Sequence, residues 1–345
     1  MLAVRSGVLG GNPVLVSAGE DRTFRVWGLP SQSTDSLGHP QPTDPTASTA
    51  GGHAPLQELA ASPPHGQVVR GLAVVGGRDG LRVLTADDAG HLTRWRVRES
   101  QEPIQQWRRR PFPHACRAVD TSADGQLVVV GGKPGPPKLV SFTEFAPINA
   151  ELGDQPAHCA AYQRTGPEAG QIAVGGEGFL RVFTWQHGSA HEAVLSGDNH
   201  TQLVRSVAFA DVNGSGVLVS GGNDETVRIW GTRTGILRRV VEAPSYVRSV
   251  AATQVASSAL VAAGCEDGQV LLIDALTGEI HWQSAELGAR IWSVAFLDDG
   301  RCTYLISADG AGWLRVWQLA ANGAQEGGEP LTFAASESAF AGGEG

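Results

Sequence analysis

His200, Ser220 and Asp224 bring the residue types of a hydrolytic triad into one short stretch of chain. Such a triad needs a base beside the serine and a carboxylate behind that base. A second set is cationic. Arg5, Arg70, Arg117, Arg205 and Arg248 each open a run of the VRSVAF type. The sixth such run has Trp292 at this register, and a weak seventh has Cys159. Guanidinium groups gathered around one axis would bind carboxylate or phosphate through paired hydrogen bonds. Which chemistry is meant depends on the elements that carry these residues.

Those elements repeat. Seven times an apolar run crosses a tight turn and ends on a large apolar residue. The clearest copies are VLVSAGEDRTFRVW, VLVSGGNDETVRIW and LISADGAGWLRVW, ending at Trp27, Trp230 and Trp317. Weaker copies end at Trp95, Phe142, Phe183 and Ile273, and the intervals are 68, 47, 41, 47, 43 and 44 residues. A period near 40–45 residues, built from strands and polar turns, marks a β-propeller. In the fifth copy LVRSVAF, VLVSG, TVRIW and ILRRVV read as four strands, a to d, bounded by Gly, Asn and Asp. The turn GGNDET offers Gly and Asn where a tight hairpin needs positive φ.

The fifth copy carries a family resemblance. His200 stands four residues before Val204, Ser220 four before Asp224, and Asp224 six before Trp230. This pattern resembles the WD-repeat (WD40) β-propeller family, and the likeness extends over nearly the whole chain. It implies an all-β fold, a single seven-bladed propeller of four-stranded antiparallel blades. It also implies that His200, Ser220, Asp224 and Trp230 form a structural hydrogen-bonded tetrad, not a hydrolase site. A partly buried turn carboxylate needs donors, and a histidine, a hydroxyl and an indole can supply and relay them. Other copies keep fragments: Ser17, Asp21 and Trp27; His65, Thr85 and Trp95 with Ala89 in the Asp place; Ser307 and Trp317 with Ala311 there. In the family the arginine register lies near the top mouth of the central channel. Arg5, Arg70, Arg117, Arg205, Arg248 and Trp292 are therefore the candidate partner-binding residues.

Residues 1–335 are assigned to the propeller and 336–345 to a flexible tail. The segment Pro30 to Ala54 is rich in Pro, Ser, Thr and Gly, and reads as a disordered insertion between strands c and d of blade one. Strand a of that blade starts near Ala3. Blade seven must then draw its outer strand from Leu331–Ala334, and closure rests on packing of blades one and seven.

Bulk composition narrows the function. The net charge of −9 argues against a nucleic-acid surface. The basic run Trp107 to Arg110 reads as a solvated loop. No apolar run reaches the ~18 residues of a membrane helix. Cys116, Cys159, Cys265 and Cys302 share no ligand-like spacing and read as reduced thiols in a cytoplasm. Of 26 basic residues only Lys133 and Lys138 are lysines, which fits GC-rich bacterial coding. The segment VLLIDALTGEIHWQS resembles the tryptophan-docking motif of quinone-dependent propeller enzymes, but its full form occurs once, and Thr-Gly suits a c–d turn. The pairs at Gly131, Gly175 and Gly221 begin turns and open no phosphate-binding helix. The expectation is a non-enzymatic scaffold with no catalytic residue, cofactor or metal. Its partner would be a protein or peptide, acidic or phosphorylated. A quinone- or metal-dependent propeller enzyme is the alternative.

Overall fold

The computed structural model describes residues 3–29, 56–77, 80–110, 113–132, 135–141, 147–148, 152–166, 168–186, 188–319 and 331–334. The Pro30 to Ala54 segment and the 336–345 tail lie outside them.

Seven four-stranded antiparallel sheets follow one another along the chain, each with strands in the order a-b-c-d. Blade five runs Val204–Val212, Ser215–Gly222, Thr226–Gly231 and Leu237–Glu242. The seven a strands touch in sequence, and the first, Ala3–Leu9, also touches the last, Ile291–Asp298. The blades therefore close into a ring around an axis lined by a strands. No helix of the described residues is long and apolar enough to cross a membrane.

Alternation explains why the blades stack. Along strand b of blade one, Val14 and Val16 face blade two, whereas Leu15 faces blade seven. In blade five Val217 and Val219 face blade six, and Leu218 faces blade four. Successive side chains of a strand point to opposite faces. A blade between two neighbours thus buries both faces, which is why the b strands read as continuous apolar runs. Each buried cluster of the core spans two adjacent blades, so stability is a sum of seams. Close approach at a seam demands glycine. A Cβ on Gly221 would sit 2.4 Å from Val247 of the next blade, and one on Gly264 2.5 Å from Ile291.

Three seams share a further bond. Val250 N donates to Ser206 Oγ, Val294 N to Ser249 Oγ, and Val4 N to Ser293 Oγ, at 3.0, 3.0 and 3.1 Å. The last joins blades seven and one. Blade seven takes Leu331–Ala334 as its outer strand, and Ala3–Leu9 pairs only within blade one. The seam between them has apolar packing and this bond, with no shared ladder among the described residues.

Pairing register corrects three readings. Ser17 of blade one aligns with Ser220 of blade five, and they face Val4 and Val207 respectively. Arg5 therefore stands level with Ala208, three residues along from Arg205. In blade three Val128 pairs with Val140, as Leu218 pairs with Trp230. Val140 fills the tryptophan place there, and Phe142 lies outside the described residues. The third correction concerns the b–c turn. Its left-handed residue in blade five is Glu225, at φ 60°, and neither Gly nor Asn. Arg22 holds the same place in blade one, with glycines at Gly90, Gly268 and Gly312 in blades two, six and seven.

Ser293→Ala should strip the buried Val4 amide of its acceptor and cost about 1 kcal/mol in denaturant unfolding. Hydrogen exchange should speed selectively in blades one and seven, because the lost bond joins those two blades. Uniform exchange across all blades would refute this.

Candidate functional site

A β-bulge sets up the channel mouth. In five blades the a–b ladder skips one residue of strand a, and the skipped residues are Arg70, Arg117, Arg205, Arg248 and Trp292. The unpaired residue of a bulge is re-aimed away from the ladder. In blade four Cys159 pairs with Gly175, so the equivalent residue is His158 and not Cys159. Cys159 is buried in the seam with blade five, its Sγ 3.5 Å from Val204 O.

These residues share one cavity of about 110 Å³, lined by Arg70, Arg117, His158, Arg205, Arg248 and Trp292. Arg5 lines it too, but from its lower place on the channel wall. Of the proposed collar, five members thus form a bulge ring and the sixth stands apart from it.

The ring is electrostatically uneven. Arg70 Nε donates to both oxygens of Asp88 at 3.0 and 2.9 Å. Arg248 pairs with Glu266, which also meets Arg290 at 3.5 Å. The Arg248 guanidinium stacks 4.2 Å above the Trp292 ring. Arg205 Nε instead meets the neutral Asn223 Oδ1 at 2.5 Å. Burial lowers the Arg205 pKa, and Arg248 and Arg117 lower it further against Glu266 and Glu177. Arg117 is exposed and has no ion pair or hydrogen bond among the described residues. Arg5 donates to Val4 O at 2.8 Å. Its side chain is open to the channel, yet protein surrounds it, and that enclosure lowers its pKa.

Sequence reading missed Arg164, in the turn after the fourth a strand. It pairs with Asp120 and donates to Thr121 O of blade three and Val74 O of blade two, both at 3.1 Å. Asp120 also accepts Tyr162 N at 2.8 Å. One guanidinium thus ties three blades. Its partners lie too far away in sequence for any motif to show them.

The tetrad residues meet in blade five. His200 Nδ1 is 2.8 Å from Asp224 Oδ1 and its Nε2 is 2.8 Å from Ser220 Oγ, which accepts Trp230 Nε1 at 3.1 Å. His200, Ser220 and Trp230 are buried, so the serine is closed to a substrate. Burial alone would raise the Asp224 pKa. Hydrogen bonds from His200, Thr226 and Thr201 outweigh it and hold the carboxyl at about 2. Trp27 and Trp95 likewise donate to Ser17 and Thr85, at 2.8 and 3.2 Å.

Blades two and seven solve the same problem with a different residue. Asp87 is buried and accepts Ala89 N, His91 N and Arg108 at 3.0, 2.8 and 3.1 Å. Asp309, fully buried, accepts Ala311 N and Trp313 N at 2.9 Å each, and pairs with Arg315. The carboxylate has moved two residues toward strand b, which the fragments TADDAG and SADGAG show in hindsight. Arg108 reaches Asp87 from strand d of blade two, Ile104–Arg109, so the run Trp107 to Arg110 is mostly strand and not a loop. His65 does not join a tetrad. It packs against Phe24 and Trp95, its Nε2 has no hydrogen-bond partner among the described residues, and burial pushes its pKa down to about 4. Trp282 of the docking-like segment packs edge-on against Trp317, 5.4 Å away, as part of the seam between blades six and seven. No group of three or more His, Cys, Asp or Glu among the described residues could hold a metal ion.

Comparison with known proteins agrees with this architecture. Residues 191–231 match the family described as "WD domain, G-beta repeat". Over 125 residues, 36% of the chain, the protein is 30% identical to the small ribosomal subunit protein RACK1y of Oryza sativa subsp. japonica. That match spans only 35% of the rice protein. Among solved structures the fold resembles the computationally designed Ika8 protein, with TM-score 0.60 and 19% identity, covering 92% of this chain and 84% of that one. The repeat match over residues 191–231, the seven blades and the His200–Ser220–Asp224–Trp230 chain together support a WD-repeat β-propeller.

Asp224→Ala should destabilise the protein by about 1–3 kcal/mol, since it leaves His200 and the Thr201 amide without their acceptor. An unchanged melting temperature would rule out a supporting role for the tetrad. His65 gives a pH dependence. Its folded pKa is depressed, so its full contribution is present above about pH 6.5 and is lost as pH falls towards 4. The shift corresponds to about 3 kcal/mol. His65→Leu should flatten the stability profile between pH 6.5 and 4 in denaturant titrations.

Proposed function

We propose that this WD-repeat propeller is a non-enzymatic interaction scaffold that receives an acidic or phosphorylated protein partner at the channel mouth. The observation that carries this reading is the bulge ring. Arg70, Arg117, Arg205, Arg248 and Trp292 come from five blades and line a single cavity. A bulge directs a long side chain to the axis, and the ring holds it there. Arg makes paired contacts to carboxylate and phosphate, and a half-buried aromatic beside it anchors an apolar neighbour. The buried Ser220 and the turn-capping role of Asp274 support a scaffold over a hydrolase or a quinone enzyme: Asp274 Oδ1 accepts the amides of Leu276 and Thr277, each at 2.7 Å. The rice relative's name places that protein in a small ribosomal subunit. The four cysteines are free thiols, which suits a reducing bacterial cytoplasm.

Replacing Arg70, Arg205 and Arg248 together by Glu should release the partner without lowering the melting temperature by more than a few degrees. Affinity capture from the native host, quantified by mass spectrometry, reads this. Arg301→Glu, in an a–b turn at the opposite end of the blades, should retain the partner. Equal retention by the triple variant and the wild type would sink the assignment.

A further inference from the structure

The cations around the cavity exceed the acids that meet them, and the excess is local. Asp88 and Glu266 neutralise Arg70 and Arg248. Arg5, Arg117 and Arg205 have no carboxylate at hydrogen-bond distance among the described residues. Asp120, whose charge reaches Arg5, is already engaged by Arg164 and the amides of Thr121 and Tyr162. In blade five the residue that faces the bulge arginine is the neutral Asn223, where blades two and six have Asp88 and Glu266. Asn223 fixes the Arg205 guanidinium through Nε and leaves both terminal nitrogens for another acceptor. Unpaired like charges in an enclosed channel repel one another, and an anion removes that cost. A cavity of about 110 Å³ has room for several waters or for one small anion.

We propose, resting on the reading of the mouth as a partner surface, that blades three to five form a seat for a phosphate-type oxyanion, held by Arg117 and Arg205 with Arg5 on the channel wall. Three guanidiniums match a tetrahedral dianion, which has acceptors for each, better than a carboxylate with two oxygens. His158, between Arg117 and Arg205 on the ring, completes the sector. Trp292 and the paired Arg248 lie on blades six and seven, so the phosphoryl group is directed away from the aromatic side.

The test is calorimetric titration of the full chain with inorganic phosphate, at ionic strength matched with chloride. Phosphate should bind at one site and raise the melting temperature. Arg117→Gln and Arg205→Gln should each weaken it by about tenfold or more, and Arg70→Gln far less. In phosphate-free buffer Arg5→Gln and Arg117→Gln should melt at or above the wild type, because repulsion is relieved. A structural arginine would give the opposite sign. A phosphoserine peptide and its unmodified serine form distinguish the source. Phosphate and the phosphopeptide both binding through Arg117 assigns the seat to a phosphorylated partner. Phosphate binding without the phosphopeptide keeps the seat, assigns it to a free oxyanion and counts against the partner reading. No phosphate binding, or equal affinity in wild type and Arg117→Gln, overturns the proposal.

Discussion

The inner strand of each blade is hydrogen-bonded along one edge only. Its other edge faces the axis, where a row of unpaired N–H and C=O groups would otherwise stand open. The molecule manages this edge in two ways. At the level of Val207 the serine one residue earlier reaches the amide of the next blade, as Ser206, Ser249 and Ser293 do. One step above, the ladder bulges and sends a long side chain into the channel. The bulge and the serine are consecutive residues, so the device that ties neighbouring blades also arms the mouth. In blades five to seven that coupling spaces Arg205, Arg248 and Trp292, whereas Arg70 and Arg117 keep the bulge without the serine.

Blades one to four lack the serine, and across blades two to four another solution replaces it. The equivalent residues are Ala3, Gly71, Ala118 and Cys159. In their place Asp120 accepts an amide from blade four, and Arg164 spans blades four, three and two. A charged clamp serves where a neutral hydroxyl is missing. Partial burial makes such a clamp costly to break once formed, because either partner alone would be an unpaired charge. The same logic covers the b–c turns. Asp224, Asp87 and Asp309 sit at two different positions, yet each is a buried carboxylate capping backbone amides beside an arginine. The requirement is a satisfied carboxylate at the turn, and its sequence position is free to drift by two residues.

That freedom decides what can be read from sequence. The period, the blade count and the tetrad of blade five were legible, because period-2 alternation and short-range spacing survive in the residues themselves. Register was less legible. VRSGVL and VRSVAF look alike, but a strand is placed by what its faces bury, and Gly7 closes on Val74 and Leu81 of blade two, where a Cβ would lie 2.6 and 3.0 Å away. The run in blade one therefore slides three residues, and Arg5 leaves the ring. His158 was hidden because a bulge adds a residue that no motif counts. Arg164 was hidden because its contacts cross up to 90 positions. Local pattern carries the blade, and tertiary packing carries the channel.

The uneven mouth follows from where these solutions lie. Blades six and seven, with serine seams on both sides, carry Trp292 stacked on an ion-paired Arg248. Blades three and four, which depart furthest from the repeat, adjoin the sector whose cations have no carboxylate at hydrogen-bond distance among the described residues. An unanswered arginine is a cost to folding, and it persists where the ring is held by other means. Here Arg164 and Asp120 supply that hold from the channel wall. A charge that would repel its neighbours in a free chain is thereby kept in place by contacts it does not itself make. Strain of this kind at a mouth motivates the proposed oxyanion seat, whose ligand would offset the repulsion among Arg5, Arg117 and Arg205.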